Sequence, residues 1–530
     1  MTLRAFLVGL VAVATICLIT PYNDIGLANT YMTGFHFPVG AFFLLMVLTL
    51  GVNLLVKLMR RAWAFGRSEL MLVWCMMIVA CTVPSSGLMR YWFPVVAAPS
   101  YHASAPKHQH WADRGHVLDR APAEVVLSKD PGDRAAEMFY QGPPMGEEMD
   151  IPWEAWVTPL VTWGIFLLLY YLAILFMCSI LRGQWVESER LTFPLAKVPL
   201  ELTEGSGEKQ LLPALVKNKF FLVGAALSLV GGALRLSPLV ERVGFPLFHI
   251  TKGTFLEHAG IGGAAIYPLA IGFAYLLPAQ ISFSLWFFWL VSRMELLTAY
   301  HAGTPLGGTG GPFMQWQQAA AFVAFTAVIL WKARRHLAGV VKKAVGRGGD
   351  VDDSEEPISH RLSFWGFLAS VAGLVGWFWY FEMNPAVAVL LLALMFSLLL
   401  VHARLVAQGG LFFVQQIWAP VEITHSITGG YGLSAPAIVV ANMQNAILVS
   451  DSREIFSPHA MNALRISSVF KKYRRMFLPA MLAALVVGLI VASWSGMRVY
   501  YADGAYNVGA TYASKSVAPK TFETAERMIM

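Results

Sequence analysis

The sequence predicts an all-α integral membrane protein: a polytopic helical bundle of roughly 10–14 spans with broken or re-entrant helices. Three observations predict it. Hydrophobic residues fill 57% of the 530 positions and charged residues only 13%, about half the charged share of a soluble domain. The mean hydropathy is +0.57. Apolar runs of span length recur along the chain, several of them interrupted by Pro, Gly or amide residues. Such a composition excludes an ordinary cytosolic enzyme, a disulfide-built secreted protein and a disordered chain.

Taken in order, the predicted spans run near Ala5–Thr20, Phe37–Leu58, Trp156–Leu181, Phe220–Leu236 and Ile261–Leu277. They continue near Ile281–Leu297, Gln318–Trp331, Phe364–Tyr380, Val387–Val401 and Phe477–Trp494. Leu70–Ala97, Gly409–Ile423 and Ser434–Val449 are apolar but interrupted, and are expected to be broken or re-entrant. The first span has only Arg4 before it and no small-residue cleavage site, so it reads as a retained helix.

Lys/Arg clusters set the expected orientation. Lys57, Arg60, Arg61 and Arg67 form one, Lys332, Arg334, Arg335, Lys342, Lys343 and Arg347 a second, and Lys471, Lys472, Arg474 and Arg475 a third. All three should face the cytoplasm, with the N-terminus inside an inner-membrane protein. The expected division is membrane helices in 1–98, an extracytoplasmic loop in 99–155, helices in 156–336, a cytoplasmic linker in 337–362, helices in 363–495 and an extracytoplasmic tail in 496–530. That tail stops without a finishing element, as a partial gene product would. The Gly- and acid-rich stretch Gly346–Glu356 reads as a flexible linker. The net charge of +7 comes from loop clusters rather than a basic stripe with interleaved aromatics, so no nucleic-acid partner is expected. Cys17, Cys75, Cys81 and Cys178 lie in apolar runs without metal-ligand spacing, and read as packing residues.

Several segments carry polar chemistry. In the first outer loop, TPYNDIGLANT, Asn23 or Asp24 reads as the cap of the next helical turn. The competing reading makes Asp24 the carboxylate of an enzyme acting on lipid-linked substrate. The break at Pro84-Ser85-Ser86-Gly87 offers hydroxyls and freed amides for an anionic group, with Arg90 one turn on; the alternative is a helix end with Arg90 snorkelling. Arg182–Leu202 reads as an amphipathic surface segment. His301–Pro312 is Gly-rich but lacks a Gly-Lys-Ser/Thr ending, so no nucleotide site is expected. The second half holds Gln408, Gln415, Gln416, Asn442, Gln444 and Asn445 in apolar context. Amides in a span mark a pathway or an interhelical bond. Ser85, Ser86, Arg90, Gln415, Gln416, Asn442 and Asn445 are therefore the expected lining of one polar cavity. Glu422, His425 and Asp451 are the candidate ion-coupling groups, while Asp451, Arg453 and Glu454 read equally as a cytoplasmic helix start with its own ion pair.

Glu189–Ala196, ERLTFPLA, resembles the Leu-Pro-Phe-Pro-Ser-Gly-x-Ala signature of the oligopeptide transporter superfamily, with Leu195-Ala196 where the signature has Ser-Gly. With TPYND, HFPVGAFF and VPSSGLMRYWFP, the pattern is similar to a family of uncharacterised bacterial membrane proteins distantly related to those transporters. The resemblance implies a bundle of two related halves with re-entrant hairpins. The expected function is a secondary carrier of a small polar or peptide-like solute, without cofactor, metal or catalytic residue. Its expected partners are the bilayer, the solute and a second copy of the chain. A membrane enzyme or a non-transporting scaffold are the alternatives.

Overall fold

The computed structural model describes residues 3–206, 213–235, 245–249, 261, 263–266, 268–275, 277–303, 311–347, 352–354, 356–467 and 476–530. Among them, eight helices are long and apolar enough to cross a membrane: Leu3–Gly26, Val39–Met59, Arg61–Ala80, Trp153–Ser188, Pro312–Ala344, His360–Tyr380, Pro385–Gly409 and Phe477–Asp503. The protein is an all-α, multi-pass bundle.

The first helix shows how the bundle is sorted. Leu3, Leu7, Val11 and Leu18 point outward, while Ala5, Gly9, Val13 and Ile16 are buried. Both faces are apolar, because the outer one meets lipid rather than water. At Gly9 a Cβ would lie 2.4 Å from Met76 Sδ, so the missing side chain leaves room for the Met76 thioether. Deeper in, every residue from Leu70 to Ala80 is buried, as is every residue from Ala173 to Gly183.

Two spans are discontinuous. The first is Arg67–Ala80 followed, after a turn, by Met89–Ala103. The second is Ala435–Leu448 followed by Phe456–Ile466, with the short Ser452–Glu454 turn between. The two pack antiparallel: Met89–Ala103 lies on Ala435–Leu448, and Arg67–Ala80 on Phe456–Ile466. Their breaks therefore meet. A third non-helical segment, Gly410–Ala419, runs beside them. Its backbone is satisfied across the fold, with His36 N–H donating to the Phe412 carbonyl (2.9 Å) and Ile417 N–H to Gln318 Oε1 (2.7 Å).

Several expectations are corrected. Ser434–Val449 is not interrupted; its helix is continuous and the break follows it, because Pro436 occupies the first turn, where no N–H is needed. Ile261–Leu277 is not one helical span. Its described part is strand Gly263–Ile266, paired antiparallel with Phe245–His249, then helix Pro268–Tyr275. Arg182–Leu202 is partly buried rather than surface-lying. Arg182 donates to Glu356 (2.8 Å) with both side chains 3% exposed, Arg404 pairs with Glu189 (2.6 Å), and helix Pro194–Leu202 buries Leu195, Ala196 and Leu202. The same Glu356 ties down the end of the stretch read as a free linker, and the helix before that stretch runs on to Ala344. Residues 304–310 of the Gly-rich run His301–Pro312 lie outside the described residues.

On the loop side, short helices Val117–Arg120 and Arg134–Gln141 form a cap over Met89–Ala103. The tail is not loose: helix Ala518–Ile529 is clasped to this cap. Glu523 accepts from Lys107 (2.7 Å) and contacts His108 (3.1 Å), and Glu526 contacts His110 (3.1 Å) and His116 (2.9 Å).

Candidate functional site

Two polar centres adjoin at the breaks. The first is a cavity of about 250 Å³ walled by the extended segment, helix Ala435–Leu448 and the tail. Gln416, Trp418, Glu422, Asn442 and Asn445 line it, with Lys520 and Thr524 from the tail helix. Gln416 spends its amide nitrogen on the Val449 carbonyl, and Asn442 donates to the Ile438 carbonyl (2.9 Å). Gln416 Oε1, Asn445 Oδ1 and the Trp418 indole N–H are buried and have no hydrogen-bond partner among the described residues. Three residues of one small cavity thus each carry a desolvated polar atom. Glu422 also faces a second cavity of about 310 Å³, with His425, Ser426 and Arg527.

The second centre is the junction of the two breaks. Gly87 N–H donates to Glu454 Oε2 (2.9 Å), and Thr33 Oγ1 to Glu454 Oε1 (3.3 Å). Gly87 is required here because a Cβ would stand 2.0 Å from the Thr82 carbonyl oxygen. Asp451 is held by the Arg453 guanidinium and by Tyr91 Oη (3.0 Å). Arg90 donates to Tyr31 Oη (2.6 Å), and the guanidinium carbons of Arg90 and Arg453 lie 5.1 and 4.8 Å from the Tyr31 ring centre. Arg90 therefore does not snorkel. It is buried with Ser86 beside it.

The seven residues expected around one cavity divide between these centres. Gln416, Asn442 and Asn445 line the cavity, while Ser85, Ser86 and Arg90 belong to the junction. Gln415 connects them, donating to the Ser450 carbonyl (3.1 Å) and accepting from Ser452 N–H (3.4 Å). Of the expected coupling groups, Glu422 and His425 face cavities and Asp451 sits in the buried ion pair. That trio is a short helix start with its own ion pair, Asp451 capping the turn Ser452–Glu454 and pairing with Arg453, but it is buried: Asp451 and Glu454 are 8% and 1% exposed. Asp24 caps no helical turn. It accepts from Met32 N–H (3.0 Å) and Asn23 Nδ2 (2.7 Å), holding the loop that brings Tyr31 and Thr33 into the junction.

Tyr31, Thr33, Tyr91 and the contact between Gly87 and Glu454 escaped sequence reading, since residues up to 421 positions apart meet there. So did His36, His402 and His459, three buried rings with centres 6.5 and 6.0 Å from His36. The one signal was the clustering of Pro, Gly and polar residues in otherwise apolar runs. Among the described residues, no three His, Cys, Asp or Glu side chains are placed to hold a metal ion.

Discontinuous spans packed break to break, with polar centres between them, define a class of multi-pass helical membrane protein with a buried polar core. Within that class, the chain belongs to the family of unknown function DUF6785, which matches residues 1–530. No curated relative and no solved structure matches the chain.

Proposed function

We propose that this protein is a carrier for a small polar solute, bound in the cavity at Gln416, Trp418 and Asn445. The observation that carries the reading is that three residues lining that cavity carry unpartnered buried polar atoms. A buried polar group without a partner costs roughly 1–3 kcal/mol, and three such groups in residues of one lining favour a ligand that completes them when those side chains turn to it. Glu422 and Lys520 stand at opposite signs on the same lining, which favours a zwitterion of amino-acid or short-peptide size. The likeness of ERLTFPLA to the oligopeptide transporter signature points the same way. The broken spans support it too, because carriers place their sites where unwound helices leave backbone groups free. Burial of Asp24 at 0% exposure speaks against an enzyme reaching lipid-linked substrate with that carboxylate.

In this reading the protein lies in an inner membrane with its N-terminus and residue 354 in the cytoplasm and residue 128 outside. The four native cysteines are buried, so single cysteines at Ser354 and Ser128 are clean probes. Labelling of both from the same side would refute the topology. For the solute, purified protein is melted against a panel of amino acids and di- and tripeptides. A binding solute at a hundred times Kd stabilises the fold by about 2.7 kcal/mol. The expected result is a rise in Tm with at least one compound that disappears in Gln416→Ala/Asn445→Ala. A rise that survives the double substitution places the site elsewhere, and no rise with any of them removes the amino-acid and peptide class.

A further inference from the structure

The junction of the two breaks contains three buried carboxyl groups, Asp24, Asp451 and Glu454, and two guanidiniums, Arg90 and Arg453. Arg453 is committed to Asp451, while Arg90 is turned to Tyr31 and Ser86. Among the described residues, Cys17, Cys81, Tyr31, Tyr91 and Tyr171 also interact with this group of side chains and add no positive charge. One negative charge is left over.

The surplus lies on Asp24 and Glu454. Thr33 joins them, its backbone N–H toward Asp24 and its hydroxyl on Glu454. Among the described residues, neither carboxyl touches a guanidinium at ion-pair distance. The Ser85 hydroxyl lies beside the Asp24 carboxyl, yet neither Ser85 Oγ nor Asp24 Oδ2 completes a hydrogen bond of good geometry. Two like charges in a dry site cannot both persist. Two open oxygens are also too few to cage a hard metal ion, which takes about six.

We propose that Asp24 and Glu454 together hold one exchangeable proton and are the protein's proton-binding site. The proton closes the charge balance of the Asp24–Glu454 pair. The site lies across both breaks, so its loading bears on how the two discontinuous spans pack. It deepens the carrier reading by naming the coupling ion, but its test needs no solute.

The experiment is infrared difference spectroscopy on the full-length protein in nanodiscs at neutral pH. The expected result is a protonated-carboxyl carbonyl band above the amide I region that shifts in D2O. Asp24→Asn and Glu454→Gln each remove the surplus charge, so either one alone should abolish the band, whereas Glu422→Gln should leave it. Absence of the band in the unaltered protein overturns the proposal. So does its survival in the Asn or the Gln variant that remains monodisperse, or its loss on adding sodium at constant pH, which would mean that the pair takes sodium. Failure of the carrier reading would appear differently, as a band present without any solute-dependent rise in Tm.

Discussion

The break in the first discontinuous span and the break in the second are built from opposite chemistry. Between Ala80 and Met89 the chain offers hydroxyls and backbone N–H groups, with Arg90 just beyond. Between Leu448 and Phe456 it offers Asp451 and Glu454, with Arg453 between them. One side donates and the other accepts, as in the bond from Gly87 N–H to Glu454. Neither turn could be buried alone, because each would strand groups that cost several kcal/mol, roughly, away from water. Antiparallel packing of the two spans satisfies both. The comparison teaches that the breaks are one structural unit, although more than 360 residues separate them.

The sharpest way to break that unit is on its acidic side. Arg453→Ala leaves Asp451 buried without its cation and should cost about 3–5 kcal/mol, read as a fall in Tm in detergent. A loss below about 1 kcal/mol, the size of a surface ion pair, would show that Asp451 does not depend on Arg453. On the donor side, Gly87→Ala drives a methyl into the Thr82 carbonyl. It should cost about 1–3 kcal/mol, and an unchanged Tm would mean that the turn relaxes without loss. A smaller effect is expected from Thr33→Val, which removes one hydrogen bond to Glu454, about 1 kcal/mol.

The smallest effect lies at the tail clasp, which serves as an outside reference for the buried junction. Burial raises the Glu526 carboxyl, but hydrogen bonds from His116, His110 and Trp111 outweigh it and hold Glu526 below its ordinary 4.5. A carboxyl depressed in the folded state stabilises fully above that ordinary value and loses its contribution as pH falls through the lowered one. The protection of Ala518–Ile529 against hydrogen exchange, corrected for the intrinsic pH dependence of exchange, should therefore fall below about pH 4.5. Glu526→Gln should shrink this step to the share that Glu523 carries, without altering exchange in Met89–Ala103. A step that persists undiminished in the Gln variant would assign it to another group.

Some of this was legible along the chain. The apolar spans at Leu3–Gly26 and Pro385–Gly409 announce themselves by length and composition, and the VPSSG break by a Pro and a Gly inside an apolar run. The amides Gln416 and Asn445 stood out because amides are costly in hydrocarbon. Glu454 was visible but misplaced, since Asp451-Ser452-Arg453-Glu454 has the composition of a surface turn. Charge density along the chain does not report depth when the compensating groups lie elsewhere in it.

The sequence by itself determined that this chain is a multi-pass helical membrane protein and where its helices give way. Both follow from local properties: hydrophobic length, and the backbone limits imposed by Pro and Gly. Only the tertiary structure decided which break faces which, that Asp24 and Glu454 share a site through Thr33, and that Gln416 and Asn445 share a cavity while Ser85 and Arg90 do not. Those pairings rest on hydrogen bonds and charges satisfied across hundreds of residues, and a linear pattern carries no term for such distances.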